Sequence, residues 1–157
     1  MICYVDGSSL KNGQINNSGG FGVVVLDDNE NVIELYQKKS TNTTNNIEEL
    51  KAILYVFLKY GKNECPIVYS DSAYCVNSLN LWIWGWERNG WLKSDGTPPE
   101  NLEYMKTYYN YYRKGYRIDL RKVAGHKGIK WNELADQLAT FKKGDIENCQ
   151  HKISIME

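Results

Sequence analysis

The chain has 157 residues, 42% of them apolar and 24% charged, the balance of one folded domain with a core of its own. That excludes a disordered chain, a collagen-like chain and a coiled coil. Nineteen Lys and Arg cancel nineteen Asp and Glu, so the total charge argues against a polyanionic partner unless the basic residues are unevenly placed.

The first strand is predicted at Ile2-Cys3-Tyr4-Val5, stopping at Asp6-Gly7-Ser8. Residues 12–20, rich in Asn, Gly and Ser, read as a loop. Residues 21–26 and 31–39 flank the turn Asp27-Asp28-Asn29-Glu30 as an antiparallel hairpin. Residues 47–60 read as a helix closed by Gly61, and 66–70 as a second buried strand ending at Asp71. Residues 72–81 look helical, 82–99 form a Trp- and Gly-rich irregular excursion, and 100–114 return to helical spacing. A strand at 116–123, a loop at 124–130 and a helix at 131–143 closed by Gly144 follow, with a polar tail behind.

This β-β-β-α-β-α-α-β-α order predicts an α/β fold: a meander extended by parallel strands into a mixed sheet with helices packed against it. If the first and fourth strands are parallel neighbours, Asp6 and Asp71 leave the sheet at one edge, where open α/β sheets bind ligands. Like charges there invite a divalent cation with oxygen ligands. On the 47–60 helix, Leu50, Ile53, Leu54, Phe57 and Leu58 form an apolar stripe at about 100° per residue. Glu49 borders that stripe, and Glu48 is expected to point well away from it. Asp136 lies off the stripe of the last helix, which is Trp131, Leu134, Leu138 and Phe141. His126, in the loop Ala124-Gly125-His126-Lys127-Gly128, is a group able to move protons near neutral pH.

Four cysteines stand far apart with no C-x-x-C pair and only two histidines beside them, so neither a zinc site nor a disulfide framework is expected. The longest apolar runs, such as 22–26, are too short to span a bilayer, and the N-terminus lacks a signal-peptide pattern. A cytoplasmic protein with reduced thiols and no membrane partner is the expectation.

Four separated motifs occur in a meaningful order: Tyr4-Val5-Asp6-Gly7-Ser8, Thr44-Asn45-Asn46-Ile47-Glu48-Glu49-Leu50, Tyr69-Ser70-Asp71-Ser72, and Gly125-His126 followed by Asn132-Glu133-Leu134-Ala135-Asp136. On these motifs the sequence resembles a type 1 ribonuclease H, of the bacterial and viral ribonuclease HI kind. The resemblance implies a ribonuclease H-like fold with a five-stranded mixed sheet. The catalytic domain would span 1–143, with 82–99 as a substrate-binding handle and 144–157 as a tail. It implies endonucleolytic hydrolysis of the RNA strand of RNA–DNA hybrids, leaving 5′-phosphate and 3′-hydroxyl ends.

The resemblance also assigns roles. Asp6, Glu49, Asp71 and Asp136 would bind two Mg2+ ions, with Mn2+ as a substitute and Asp6 bridging both. Asp136 completes the water-activating site, Glu49 and Asp71 face the leaving oxygen, and His126 assists proton transfer or product release. Ser9, Asn12, Asn45 and Asn46 would contact the hybrid, with Trp86 or Trp91 against a DNA sugar. The implied protein is a monomer without an obligate protein partner. Rival readings are a non-catalytic hybrid-binding module and a DNA-directed nuclease of the same superfamily. The first predicts a broken carboxylate set, and relatives of the second kind generally lack Asn45-Asn46 and Gly125-His126.

The chain departs from the family pattern in several places. The loop after the first strand is long, Ala73 stands where many relatives have a glutamine, and Ile47 replaces a frequently basic residue. The excursion holds Glu87, Arg88, Lys93 and Asp95, which cancel. The missing charge lies between Lys106 and Lys130, where eight basic residues face only Asp119. Arg113, Lys114 and Arg117 in that run are therefore expected to track phosphates beside the site.

Overall fold

A computed structural model describes residues 1–10, 17–123 and 130–142, with the backbone of Ile155–Met156. Strands β1 (Ile2–Ser9), β2 (Ser18–Leu26) and β3 (Val32–Thr41) form an antiparallel meander. Helix α1 (Asn45–Tyr60) leads to β4 (Ile67–Ser70), which pairs parallel to β1. Helices α2 (Ala73–Asn77), α3 (Ile83–Arg88) and α4 (Leu102–Arg113) precede β5 (Asp119–Lys122), parallel to β4. Helix α5 (Lys130–Thr140) follows. The five-stranded mixed sheet is thus present, and a two-residue strand β6 (Ile155–Met156) lengthens it beside β3, giving the order β5-β4-β1-β2-β3-β6. The tail therefore contains a paired segment, which its polar average concealed.

The period-2 alternation of the strands sends side chains to two different cores. On one face Cys3, Val5, Phe21, Val23 and Val25 pack against Leu50, Ile53 and Phe57 of α1 and Met105 and Tyr108 of α4. On the other, Val24, Leu26 and Leu35 meet Leu134, Ala135 and Leu138 of α5, with Ile2 and Tyr4 at the margin. Helix α1 begins where Thr44 caps the backbone N–H of Ile47 and ends at Gly61. Leu58, placed on the buried stripe by periodicity, is exposed, whereas Ala52 and Val56 are buried, so the core-facing stripe is rotated.

Two predicted elements differ in form. The helix expected at 72–81 and the first part of the excursion, up to Arg88, share one helical rod. Helix α2 passes through a π-helical turn (Ser78–Trp82) straight into α3. The π turn keeps Cys75, Leu79 and Ile83 buried while adding a residue to the turn, which breaks the 3.6 period that a sequence reading relies on. Helix α5 ends at Thr140, with Phe141 in the left-handed region at φ 57°, ahead of the predicted stop at Gly144, which lies outside the described residues.

One buried acid sits at the margin of the first core, beside Tyr55 and Tyr60. Glu34 on β3 is 5% exposed and accepts hydrogen bonds from the hydroxyls of Tyr55 and Tyr60 and from Lys59 Nζ at 2.6 Å. Replacing it by alanine leaves two phenols and an ammonium without their acceptor. Lys59 can rehydrate because it is partly exposed, so the expected loss is about 2 kcal/mol rather than the full cost of breaking a buried pair, read by urea unfolding.

Candidate active site

Strands β1 and β4 pair only as far as Tyr4 opposite Tyr69, although β1 runs on to Ser9 along β2. Asp6 is therefore not the end of its strand, as predicted, but sits past the point where β1 and β4 part. The notch so formed receives three carboxylates. Asp6, Glu49 and Asp71 each offer an oxygen, and these oxygens lie within 4.8 Å of one another. Asp6 and Glu49 are buried, Asp71 half-buried.

Two glycines beside Asp6 set how closely the flanking helices approach. A Cβ on Gly7 would fall 2.2 Å from the Glu49 backbone nitrogen, so the first turn of α1 lies directly on β1. On the opposite face Gly22, the cross-strand partner of Asp6, would place a Cβ 2.6 Å from the Ala135 carbonyl oxygen. That approach brings α5 onto the sheet and its half-buried Asp136 within hydrogen-bonding reach of the Asp6 carboxyl. The fourth acid predicted from sequence is thus gathered with the other three, even though Asp136 lies off its helix's apolar stripe.

Burial is the main force on these groups. Desolvation pushes the Asp6 carboxyl far above the usual carboxylate range, and the charges of Glu49, Asp71 and Asp136 add to it. Desolvation likewise raises Glu49, opposed by the Ser70 hydroxyl, which donates to Glu49 Oε1 at 2.5 Å, and by the backbone N–H of Gly7. The sequence alone gives Ser70 no role beyond its motif; the alternation of β4 that buries Val68 buries it as well. An all-oxygen, acidic, partly desolvated donor set fits a hard divalent cation, which would offset both the desolvation and the repulsion that raise these pKa values.

The predicted substrate residues divide. Ser9 and Asn45 meet at the same edge, the Ser9 N–H donating to Asn45 Oδ1 at 2.7 Å, and Asn45 is exposed. Asn46 is half-buried and its carbonyl receives the Cys75 thiol. Asn12 and His126 lie outside the described residues. On the handle, Trp91 is held edge-on by Tyr109 and Trp84 by Tyr112. Trp86 instead joins Trp82, itself against Tyr74, along a shallow groove of about 430 Å3 with Leu81, Arg88 and Leu92.

Arg113, Lys114 and Arg117 do not stand beside the carboxylates. Arg117 N–H bonds to the Gly61 carbonyl at the far end of α1, about 18 Å of helix away from Glu49. Its guanidinium lies 3.5 Å from the Tyr112 ring centre and donates to the carbonyls of Tyr112 and Tyr116, closing the end of α4. Arg113 rests on Tyr109 and Lys114 on Tyr111. The sequence neighbourhood misleads because α4 runs down the molecule and β5 then returns to the carboxylate edge, so only Lys122 among the described strand residues of the basic run ends there, next to Ser70. Between the ends of β1–β3 and the end of α5, a cavity of about 840 Å3 is lined by Ser8, Lys39, Thr140 and Lys142 among others, and by none of the four acids.

Comparison with known proteins agrees on one family. A family model described as RNase H matches residues 1–143. A ribonuclease H from Clostridium botulinum is 36% identical over 141 residues, covering 88% of this chain and 92% of the relative. Among solved structures, LC9-RNase H1, a type 1 RNase H with the type 2 active-site motif, aligns with a TM-score of 0.72 and 28% identity over 89% of this chain and 70% of that one. A foamy viral protease-reverse transcriptase in complex with RNA/DNA hybrid aligns with a TM-score of 0.79 and 20% identity, covering 89% of this chain and 19% of that one, a likeness of fold.

Proposed function

The chain belongs to the ribonuclease H family, and from that premise we propose the following reading of its site. The protein is an endonuclease that hydrolyses the RNA strand of RNA–DNA hybrids and leaves 5′-phosphate and 3′-hydroxyl ends. The observation that carries it is the convergence of Asp6, Glu49 and Asp71 within 4.8 Å at one notch, with Asp136 reaching Asp6 from α5. A broken acid set would have favoured a mere hybrid-binding module, and the set is whole.

Two Mg2+ ions, replaceable by Mn2+, would supply an activated water and charge stabilisation at the leaving 3′-oxygen. Asp6 would be shared between them, Asp136 would serve the water side, and Glu49 and Asp71 the leaving side. Ser70 and the Gly7 N–H aim the Glu49 carboxylate and partly offset the desolvation that raises its pKa. His126 is assigned the transfer of a proton near the cut. Ser9, Asn45 and Asn46 would contact the strand to be cleaved, and the family pattern gives Asn12 the same role; short polar groups suit contact with a 2′-hydroxyl across the minor groove. Trp86, packed on Trp82, or Trp91, packed on Tyr109, would lie against a DNA sugar. Arg113, Lys114 and Arg117 are left the role of meeting phosphates well beyond the scissile bond. The enzyme would act as a cytoplasmic monomer; among the described residues no helix is long and apolar enough to cross a membrane.

The direct test incubates the protein with labelled RNA–DNA hybrid, double-stranded RNA and double-stranded DNA, with Mg2+ or with chelator. Cutting confined to the RNA of the hybrid, lost with chelator and with Asp71→Asn, is expected. Cutting of double-stranded DNA would favour the DNA-directed reading instead.

A further inference from the structure

Glu48 has no part in the reading above, yet it is the most completely enclosed acid among the described residues, at 0% exposure. Its Oε1 accepts from the Ser40 hydroxyl at 2.8 Å and its Oε2 from the Thr43 hydroxyl at 2.6 Å. Lys51 Nζ stands 2.9 Å from Oε2 and also donates to Ser40 Oγ at 3.0 Å. One carboxylate thus ties the end of β3, the β3–α1 connection and the second turn of α1. A buried charge is retained at a cost unless all its lone pairs are met, and here both oxygens are met.

The connection that Glu48 grips from inside is gripped from the other side by groups at the substrate edge. Asn17 accepts from the Thr43 N–H at 2.8 Å and donates to the Thr43 carbonyl at 2.6 Å. Asn17 also donates to Ser9 Oγ, and Ser9 N–H holds Asn45 Oδ1. Moving Thr43 therefore moves Asn45 and Ser9, two residues assigned to the hybrid. The Glu49 carboxylate has other partners: Gly7 N–H and Ser70 Oγ hold it, and Leu50 and Ile53 pack its helix on the sheet.

We propose that Glu48 is a positioning residue which, through Thr43 and Ser40, fixes the placement of Asn45 and Ser9 against the RNA strand without acting on the metal-binding acids. The proposal rests on the ribonuclease H reading of the edge. Its signature is a split in the kinetics. Glu48→Gln keeps the volume but turns an amide N–H2 toward hydroxyl and ammonium donors, and Thr43→Val removes one hydroxyl at constant shape. Each should raise KM for the hybrid about tenfold with kcat within twofold of wild type. In chelator, where no cutting occurs, the Kd for fluorescent hybrid measured by anisotropy should rise by the same factor. Because both variants break one bond, the double variant should be no weaker than the worse single variant by more than twofold.

A general loss of structure predicts something else: a smaller active fraction, hence a lower apparent kcat at unchanged KM. That result, unchanged KM and Kd in both single variants, or effects that multiply in the double variant, would overturn the proposal. If Glu48→Gln does not fold, Thr43→Val and Ser40→Ala, which retain the ion pair, carry the test. Failure of the wild-type protein to cut hybrid speaks against the ribonuclease reading, whereas normal cutting with unmoved Kd and KM speaks against the positioning.

Discussion

Asp6→Asn is expected to lose RNA cleavage by at least a thousandfold, about 4 kcal/mol of transition-state stabilisation, while making the metal-free protein more stable at neutral pH. The two effects share a cause. Asp6 is buried among Glu49, Asp71 and Asp136, and burial followed by those charges pushes its pKa up in the folded state. A carboxyl raised in the folded state contributes stability that is complete below the unfolded value near pH 4 and is lost as pH rises through the folded value. Metal-free wild type should therefore lose stability as pH climbs from about 4 past neutrality, with Glu49, also raised, adding to the slope. Asparagine cannot ionise, so the variant should show a shallower slope. Near pH 8 its gain should be on the order of 2 kcal/mol, some 4–8 °C in a chain of this size. Mg2+ should reverse the ranking by stabilising wild type more than the variant, since only the wild-type site has its full charge to neutralise. Thermal melts across pH with chelator and with Mg2+ measure both arms. A wild-type melting temperature that rises with pH in chelator would remove the like-charge account of the site.

How far the sequence announces this site follows from what each residue answers to. Asp6, Glu49 and Asp71 are legible because local rules expose them: an acid after each of two short apolar strand runs, although β1 continues past Asp6 to Ser9, and an acid bordering an apolar helical stripe. Asp136 is legible only through the motif spacing, since Gly22 on another strand decides how near α5 comes. Glu48 is misread because helical periodicity assumes one buried face. Here the end of β3 and the Thr43 connection cover a second, polar face with hydroxyls and Lys51. Arg113, Lys114 and Arg117 are misplaced for a related reason. A charge run is contiguous in sequence, but the turn after α4 at Gly115, in the left-handed region at φ 100°, sends the chain to the end of the sheet away from Asp71. The π turn at Ser78–Trp82 hides the helical nature of the handle by shifting the period midway.

Gly7→Ala should be the most damaging small substitution in the molecule. The new methyl would stand 2.2 Å from Glu49 N, 2.4 Å from Glu48 C and 2.8 Å from Glu49 Cα. All three are backbone atoms, so no rotamer change relieves the clash, and α1 must lift from β1 by more than 1 Å to restore ordinary contact. Lifting it uncovers Leu50 and Ile53 and breaks the Gly7 N–H bond to the Glu49 carboxylate. The expected destabilisation is about 3–5 kcal/mol, a large share of what a domain this size possesses. Folded molecules that survive should bind Mg2+ more weakly, because Glu49 retreats from Asp6 and Asp71. Gly85 is the control: it lies in α3 with nothing within 4 Å of its would-be Cβ, so Gly85→Ala should stabilise by up to about 1 kcal/mol. Urea unfolding of both variants, with Mg2+ titrations followed by calorimetry, reads the contrast. A Gly7→Ala protein with wild-type stability and wild-type Mg2+ affinity would mean that the contact between β1 and the first turn of α1 does not place Glu49.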